Sequence, residues 1–506
     1  MEMIHSALPL YALSVSFVAA FLILAFKNVP NLRDATGFAA ALLKFSLVAS
    51  MAPTILAGGT IEYTLFNSLP GVDFKFRVDA LGMIFATIAS FLWIFASVYS
   101  VGYMRSGKEH AQTRFFACFT VSIFAAVGGA FAANLFTLIV FYEVLSLVTY
   151  PLVYHKENAE SWAGSKKYVV YLVGTSKTFL LAAFGLTYYL AGQLDFAPHG
   201  LLADVNASPV ILTIVYICYM IGFSKAAIMP FHAWLPAAMV APTPVSALLH
   251  AVAVVKMGVF CVLRVVFHVF GTGLLNKLNL GIATAYVVSF TIILSSIYAL
   301  TQDNLKRRLA YSTVSQLSYV ILGAVLLTPS SMLGGVVHIA NHAFSKITLF
   351  FCAGSIYCAA HKTEISQLSG IGRKLPWTMT AFFIASLSMI GVPPAAGFVS
   401  KWYLAMGSLE AKEIPILIVL FASTILNAAY FLPITYKAFF EKENNNHPDS
   451  GHHSNSHGNE SHGHGDHGDI KEIPLLAIPL VITAIISIII GIYPEYFLTL
   501  AREVIK

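Results

Sequence analysis

Charged side chains are scarce in this sequence. Asp, Glu, Lys and Arg make up 11% of the 506 residues, whereas 58% are hydrophobic and the mean hydropathy is +0.76. About 25% of the residues in a soluble domain are charged. The composition therefore excludes a soluble domain and predicts a helical protein that crosses the bilayer many times. The net charge of +6 does not indicate nucleic-acid binding, because the basic residues lie in short segments between apolar runs.

Cysteine is also rare, and the pattern that redox and structural metal sites need is missing. The five cysteines lie inside apolar segments and none forms a CxxC pair. The sequence therefore carries no iron–sulfur, zinc-ribbon or c-type haem motif, and we interpret the cysteines as small buried residues. We predict no cofactor and no catalytic or redox site of the chain's own.

Long apolar runs are abundant. About fourteen reach the ~20 residues that a helix needs to cross the hydrocarbon core. Loops after odd-numbered runs are rich in Lys and Arg, as in Lys306, Arg307 and Arg308, and loops after even-numbered runs are poor in them. Basic loops stay cytoplasmic, so both termini are predicted to face outward. The first run lacks the basic start and cleavage site of a signal peptide and is predicted to be a membrane helix.

One polar segment interrupts the apolar pattern. Residues 441–472 are of low complexity and hold seven of the 17 histidines. Such a segment cannot build a core, so we predict a disordered, solvated linker on the cytoplasmic side. The alternative is weak binding of Zn²⁺, Ni²⁺ or Cu²⁺, or pH sensing. The candidate ligands are His452, His453, His457, His462, His464 and His467.

Ionisable side chains inside the apolar runs are the strongest functional signal. A charge at the bilayer centre costs roughly 2.5–3.5 kcal/mol on insertion scales, so its presence predicts a role that offsets the cost. His338, His342 and Lys346 follow i, i+4, i+8 and predict one polar stripe on a single helix. The full set is Glu143, Lys177, Lys225, His250, Lys256, His338, His342, Lys346 and Lys401.

Residues 221–260 concentrate these features. Lys225 lies just before a proline-punctuated break in one apolar helix, and Lys256 lies in the next. A helix broken at membrane depth is tolerated only where protein or a water-filled cavity satisfies the freed backbone. A buried lysine that opens and closes a contact with a carboxylate is a two-state switch for proton binding. Glu143 with Lys225 is the predicted pair.

Structural roles are the alternative for some of these residues. Lys177 and Lys346 could be structural or snorkelling lysines, and His250 could be a hydrogen-bonded core histidine. A haem or metal held by His338 and His342 is disfavoured, because both lie on one helix.

Two short strings recur about 170–175 residues apart. Residues 176–181 resemble 345–350, and residues 222–225 resemble 397–401. The copies start five helices apart, and an odd offset inverts the second copy across the membrane, as in many secondary transporters. The matches are short, and coincidence is the alternative. The predicted segments are helices 1–3 (1–110), a first repeat (111–270), an inverted second repeat (271–440), the His-rich loop (441–472) and a last helix (473–506).

The longer motifs resemble the antiporter-like subunits of respiratory complex I and of Mrp-type cation/proton antiporters. KAAIMPFHAWLPAA at 225–238, followed by APTPVSA at 241–247, resembles one family signature, and DNLKRRLAYSTVSQL at 303–317 resembles another. His338–Lys346 and Gly391–Lys401 extend the resemblance. It implies an all-α membrane protein of about fourteen helices, with two inverted five-helix repeats and breaks in helices 7 and 12.

The resemblance also implies roles in proton transfer. The family's fifth-helix carboxylate falls on Glu143, and its seventh- and eighth-helix lysines fall on Lys225 and Lys256. The terminal residue of its central polar axis falls on Lys401, and the stripe from His338 to Lys346 would connect the two halves. His250 matches a polar position of several family members.

The resemblance implies a proton-translocating subunit of a multi-subunit complex in a prokaryotic cell membrane. The chain lacks the lateral helix and extra helices of larger members, so it resembles the D-type Mrp subunit or its counterpart in membrane-bound hydrogenase-type complexes. In the first case the partners are other Mrp subunits, and Na⁺ is exchanged for protons. In the second, redox chemistry in partner subunits drives the protons. A non-transporting scaffold subunit is the alternative of another class, and a quinone- or haem-binding subunit has little support.

Overall fold

A computed structural model describes residues 3–69, 71–442 and 470–506. Helices dominate, as the long apolar runs predict. The six predicted loop ligands, His452, His453, His457, His462, His464 and His467, lie outside the described residues. The described helices of ten or more residues are α1 (Leu8–Ala25), α2 (Pro30–Leu56), α3 (Ala80–Ser106), α4 (Gln112–Ala130), α5 (Leu135–Val153), α6 (Ala159–Ala191), α7 (Pro209–Gly222), α8 (Thr243–Phe270), α9 (Leu280–Thr301), α10 (Leu305–Val325), α11 (Pro329–Ala360), α12 (Pro376–Ile390), α13 (Ala396–Glu410), α14 (Ile414–Phe440), α15 (Pro474–Ile492) and α16 (Glu495–Ile505); shorter ones lie at Trp234–Ala237 and Thr272–Lys277.

Eleven helices of the described residues are long and apolar enough to cross a membrane. Three of the fourteen predicted runs are not among them. The seventh and twelfth are interrupted, so that α7 and α12 are shorter apolar helices. The tenth is α10, which begins with three basic residues and continues with Ser, Thr and Gln among its apolar side chains.

Side-chain caps mark where several of these helices begin. The Asn134 side chain accepts a hydrogen bond from the backbone of Thr137 at the start of α5, and Asn304 caps α10 in the same way. At α11, Thr328 and Ser331 cap each other's backbone. Each cap satisfies an amide that the helix itself leaves unpaired.

A three-stranded sheet corrects the prediction of an all-α protein. The strands are β1 (Met3–His5), β2 (Thr60–Leu69) and β3 (Val72–Val78); β1 pairs parallel to β2, and β2 pairs antiparallel to β3. The sequence TIEYTLFNSL-PG-VDFKFRV alternates apolar and polar residues around a Pro-Gly dipeptide. Period-two alternation is the signal of a hairpin, but it was obscured by the apolar helices on both sides.

Two helices form the centre of the molecule. In α8 the most apolar stretch is 94% buried and in α11 it is 78% buried, whereas α6 buries only 22%. A helix that is apolar all round and buried on every face lies in a protein interior. The candidate residues on α8 and α11 therefore lie in the core, away from lipid.

Both predicted breaks are present as interruptions of helical structure. After α7 the chain makes a 3₁₀ turn at Ser224–Ala226 and resumes as short helical turns at Trp234–Val240. Between α12 and α13 the residues 391–395 are non-helical. Ala227 (φ 55°) and Gly391 (φ 92°) adopt left-handed conformations at the two breaks, which end a right-handed helix.

Candidate functional site

Lys225 lies in the first break and is fully buried. Its Nζ donates a hydrogen bond of 2.5 Å to the Tyr142 carbonyl on α5 and lies 3.1 Å from the centre of the Tyr142 ring. Gly258 on α8 makes this possible, because a Cβ there would lie 2.3 Å from the Lys225 carbonyl carbon. The core helix thus packs directly on the backbone that carries the lysine.

Glu143 contacts a different lysine from the predicted one. Its Oε2 lies 3.3 Å from Lys177 Nζ, and among the described ion pairs it has no contact with Lys225. Lys177 lies in a π-helical turn, Ser176–Leu180, within α6. Its side chain is 54% exposed on the helix surface, whereas that of Glu143 is 14% exposed. Such turns within α-helices occur frequently at functional sites.

Lys256 and His342 join the two core helices. Lys256 Nζ on α8 lies 2.6 Å from His342 Nδ1 on α11, and both side chains are buried. A charged lysine is only a donor, and an imidazole nitrogen accepts only when it carries no proton. One proton therefore lies between the two nitrogens, donated by Lys256 or, when the lysine is neutral, by His342. The other ring nitrogen of His342 is buried with no hydrogen-bond partner in the described structure.

His338 lies one turn before His342 on α11, with the ring centres 6.2 Å apart. Its Nδ1 lies 2.8 Å from the Ser400 hydroxyl and its Nε2 lies 3.0 Å from Gln316 Oε1. Because the carbonyl oxygen of Gln316 can only accept, His338 carries a proton on Nε2 in this arrangement. The stripe predicted from the i, i+4, i+8 spacing lies on a single continuous helix.

Lys346 is connected to a chain of hydroxyl and amide groups. Its Nζ donates to Ser312 Oγ (3.0 Å) and to the Leu309 carbonyl (3.1 Å) on α10. The Tyr430 hydroxyl on α14 lies 3.1 Å from the same Ser312 oxygen and also bonds Asn427 Oδ1. This chain links the middle of α11 to α14 through buried polar groups.

The chain of groups continues to Lys401. Asn427 Nδ2 lies 3.4 Å from the Met389 carbonyl, to which Lys401 Nζ also donates at 3.0 Å. A second bond from Lys401 reaches the Ile390 carbonyl (2.8 Å). The Met389 oxygen accepts from both Asn427 Nδ2 and Lys401 Nζ and carries no proton of its own. Proton transfer between these two side chains therefore requires water. The network therefore holds Lys346 and Lys401 in fixed relative positions.

His250 stands apart from these contacts. It lies in a second π-helical turn, Leu248–Val252 in α8, and is fully buried. Neither ring nitrogen has a hydrogen-bond partner among the described residues, and the ring packs 4.7 Å from Phe350. No described residue therefore supplies the hydrogen bond that the structural alternative requires.

Among the described residues, two buried cations inside apolar runs were missed from the sequence. Lys44 on α2 is fully buried and donates to Ser16 Oγ at 2.6 Å. Arg264 on α8 is 1% exposed. Its Nη1 and Nη2 donate to the two carboxylate oxygens of Asp79, just before α3, at 2.5 and 2.7 Å. Each is a basic residue inside an apolar run, which is the signal that identified the other candidates.

The site is a set of buried acid–base groups inside a helical bundle. Lys225, Lys256, His342, His338 and Lys346 are at most 2% exposed. Buried groups of this kind can hold and release protons out of contact with bulk water. Fold and site together define a multi-pass helical membrane protein with an internal acid–base axis.

Comparison with known proteins gives the family. Residues 132–427 match the family model described as NADH:quinone oxidoreductase/Mrp antiporter, and residues 68–116 match the N-terminal model of chain 5 of NADH-ubiquinone oxidoreductase (complex I). The chain belongs to this family of NADH:quinone oxidoreductase and Mrp antiporter membrane subunits. The resemblance predicted from the motifs is confirmed.

Relatives come from several kinds of complex. NADH-quinone oxidoreductase subunit N of Desulforudis audaxviator is 32% identical over 418 residues, covering 82% of each chain. A probable K⁺/H⁺ antiporter component of Rhizobium meliloti is 32% identical over 373 residues, covering 72% of this chain and 36% of that protein. Hydrogenase-4 component B of Escherichia coli is 31% identical over 363 residues, 69% of this chain and 53% of that protein.

Solved structures show the same fold. An Mrp complex from Dietzia sp. contains a chain with a TM-score of 0.85 and 22% identity, covering 99% of this chain and 96% of that one. An archaeal membrane-bound sulfane sulfur reductase contains another, also with a TM-score of 0.85, at 21% identity and covering 98% and 97%. At this identity the likeness concerns the fold alone.

Proposed function

We propose that this chain is the proton-translocating subunit of a multi-subunit membrane complex. The buried contact between Lys256 and His342 carries the proposal, because it holds one transferable proton between the two core helices. His338 is the next acceptor along α11, and Lys346 and Lys401 continue the axis towards α14. Burying so many ionisable groups costs free energy, and a role in proton transfer explains why the protein keeps them.

Glu143 and Lys225 form the switch of this mechanism. In the structure Glu143 is paired with Lys177, while Lys225 bonds the Tyr142 carbonyl. Tyr142 and Glu143 are adjacent on α5, so Lys225 is held close to the carboxylate that it would join. We assign this arrangement to the open state of the switch. In the closed state Glu143 leaves Lys177 for Lys225 and stabilises the lysine charge.

The architecture proposed with this function has fourteen membrane helices, two inverted five-helix repeats and outward-facing termini. The similar environments of the two breaks support it: Lys225 follows α7 at one, and Lys401 lies on α13 after the other. Lys177 and Lys346 would be equivalent lysines. The proposed segments are residues 1–110, 111–270 (first repeat), 271–440 (second repeat), 441–472 (cytoplasmic loop) and 473–506.

One feature of the surface, an exposed lysine on a membrane helix, favours the presence of partner subunits. Lys177 is 54% exposed on a helix of membrane-spanning length, where lipid tails cannot hydrate a charge. A neighbouring membrane subunit covering this face of α6 would shield the Glu143–Lys177 pair. We propose that the site functions only in the assembled complex, in a prokaryotic cell membrane.

An Mrp-type complex is the proposed assembly, with this chain as the D-type subunit and Na⁺ exchanged for protons. The 32% identity to a probable K⁺/H⁺ antiporter component over 72% of this chain supports an antiporter assembly. A redox-driven complex is the second candidate, and the 32% identity to a quinone oxidoreductase subunit N over 82% of both chains favours it. A scaffold subunit without transport is the third, and it leaves the buried charges without a role.

Proton movement in inverted membrane vesicles distinguishes these candidates. A pH-sensitive dye is followed in vesicles with wild type, Lys225→Ala and Glu143→Ala, with Na⁺ added in one trial and a respiratory donor in another. Lys277→Ala is the matched control, since Lys277 is exposed outside the membrane helices. A Na⁺-triggered signal lost in both variants supports the antiporter, and a donor-triggered signal lost in both supports the redox-driven pump. Full signals in both variants favour the scaffold.

A further inference from the structure

Two histidines and a glutamate meet away from the proton axis, where the loop before α4 packs on the end of α5. Glu109 and His110 belong to the loop and His155 follows α5. One ligand atom of each lies within 4.8 Å of the others. His155 Nε2 is 3.7 Å from Glu109 Oε2, and the imidazole rings of His110 and His155 are centred 4.7 Å apart.

His155 lacks any hydrogen-bond partner in the described structure. Its side chain is fully buried, and both ring nitrogens are unpaired. Buried polar groups are almost always paired, so an orphaned ring indicates a ligand that completes it. Imidazole nitrogens are the commonest metal ligands in proteins, so the two unpaired nitrogens of this buried ring fit a metal ion.

We propose that Glu109, His110 and His155 bind one transition-metal dication, for which Zn²⁺ is the best match. Two imidazoles and a carboxylate form a known zinc ligand set, in which water takes the fourth position. Ca²⁺ and Mg²⁺ prefer oxygen ligands throughout, so two of the three side chains disfavour them. None of the three proposed ligands belongs to the segment 441–472.

Charge around the cluster permits a dication. Arg114 is the nearest guanidinium, and its Nη1 lies 2.6 Å from Glu157 Oε1, which offsets its charge. Glu157 Oε1 also lies 3.9 Å from His110 Nε2. Lys156 is a further nearby cation. Glu109 is 17% exposed and forms no described ion pair with an arginine or lysine, although Lys306 lies near enough to interact with its charge.

Metal binding requires a small contraction of the cluster. Zinc ligands lie about 2.0–2.1 Å from the metal, which puts tetrahedral ligand atoms about 3.4 Å apart. Glu109 and His155 are already near this separation. The stacked ring of His110 must turn to point a nitrogen at the metal, and its side chain is 50% exposed and free to do so.

A metal here would fasten the loop before α4 to the end of α5, the helix that carries Glu143. Lys108 and Ala111, on either side of Glu109 and His110, both have φ of 47°, and Glu157 has φ of 53°. These left-handed conformations are unfavourable for residues other than glycine. They bring the three ligands together from two separate loops.

Cobalt binding tests the site. The full-length chain is purified with any partner subunits that accompany it, in a background where the seven histidines of 441–472 are changed to Asn. Titration with Co²⁺ is followed by its visible absorption, and Zn²⁺ is then added as competitor. We expect one Co²⁺ per chain, with a four-coordinate spectrum that Zn²⁺ abolishes. His155→Ala and Glu109→Gln should each weaken binding by about 100-fold or more, since losing an outer-shell partner alone costs 10–100-fold.

Three further variants keep the test decisive if His155→Ala does not fold. His110→Ala alters a half-exposed ring and should weaken binding in a folded protein. His155→Cys should retain Co²⁺ and add the intense near-ultraviolet band of a cobalt–thiolate bond. His199→Ala, in an exposed loop elsewhere, should bind as the background does. Equal binding in all variants, or no stoichiometric binding in the background, would overturn the proposal.

Discussion

The contact between Lys256 and His342 allows transport and stability to be separated by two substitutions at one position. Lys256 Nζ and His342 Nδ1 are 2.6 Å apart and buried. His342→Gln retains a hydrogen-bond acceptor for the lysine but cannot take up a proton. His342→Ala removes the acceptor as well and leaves Lys256 facing a cavity.

The two variants should differ by at least about 1.5 kcal/mol in stability. His342→Gln exchanges one hydrogen bond for another, so the free energy of unfolding should change by less than about 1.5 kcal/mol. His342→Ala loses a bond to a charged group, worth about 1.5–3 kcal/mol, and leaves a buried charge unpaired, for a total of about 3–5 kcal/mol. Both variants lose the proton carrier, so transport should fall about 100-fold in each.

Transport is measured as dye-reported proton movement in vesicles, and stability as thermal unfolding of the purified protein. His199→Gln, an exposed loop histidine, controls for the substitution itself. Wild-type transport by His342→Gln would refute the reasoning, because a side chain that cannot change protonation would then suffice. Equal destabilisation by both variants would show that the lysine is uncharged in the folded protein.

Three other predictions concern contacts that the sequence did not reveal. Asp79→Asn should lower the free energy of unfolding by about 3–5 kcal/mol, since the substitution leaves the buried Arg264 guanidinium unpaired. The control Asp204→Asn, in a loop, should leave the free energy of unfolding unchanged in the same denaturation assay. Burial of Asp79 raises its pKa, but Arg264 outweighs this effect and lowers the pKa from 3.8 to about 2. The ion pair should therefore contribute about 2.5 kcal/mol to stability above pH 4. Acid titrations of stability should show this contribution being lost as the pH falls through 2. Tyr430→Phe removes the hydroxyl that bonds Ser312, and vesicle assays should show slower transport with a stability loss of no more than about 1–2 kcal/mol.

The spacing of residues on one helix was predictable, and contacts between helices were not. The i, i+4, i+8 stripe of His338, His342 and Lys346 depends only on helix periodicity, and α11 carries it as expected. That Lys346 bonds Ser312 depends on how α10 packs against α11, which no local pattern encodes. Tyr430 was not identified for the same reason.

The partner of Glu143 was not predictable from regular helix periodicity, because the helix that carries this partner contains an irregular turn. Lys177 lies in a π-helical turn, which inserts an extra residue and rotates the side chains that follow. A template of 3.6 residues per turn cannot anticipate such a turn. The family motif pointed to Lys225, whereas the structure pairs Glu143 with Lys177. The joining of Glu143 to Lys225 stays a prediction about a second state.

The hairpin of β2 and β3 was predictable but overlooked, because the hydropathy of the whole chain suggested only helices. Lys44 was overlooked although it meets the criterion applied to other lysines, being a cation within an apolar run. The hydroxyl of Ser16, its partner, lies on another helix.

Proton movement through the core helices tests the central claim most directly. Lys256→Met and Lys401→Met, which keep side-chain length and remove the charge, are compared with wild type and Lys277→Met in the vesicle assay. The account predicts that each of these substitutions abolishes proton movement while the complex still assembles, because Lys256 on α8 and Lys401 on α13 belong to one proposed path that water completes near Lys401. Wild-type proton movement in either core variant would contradict it.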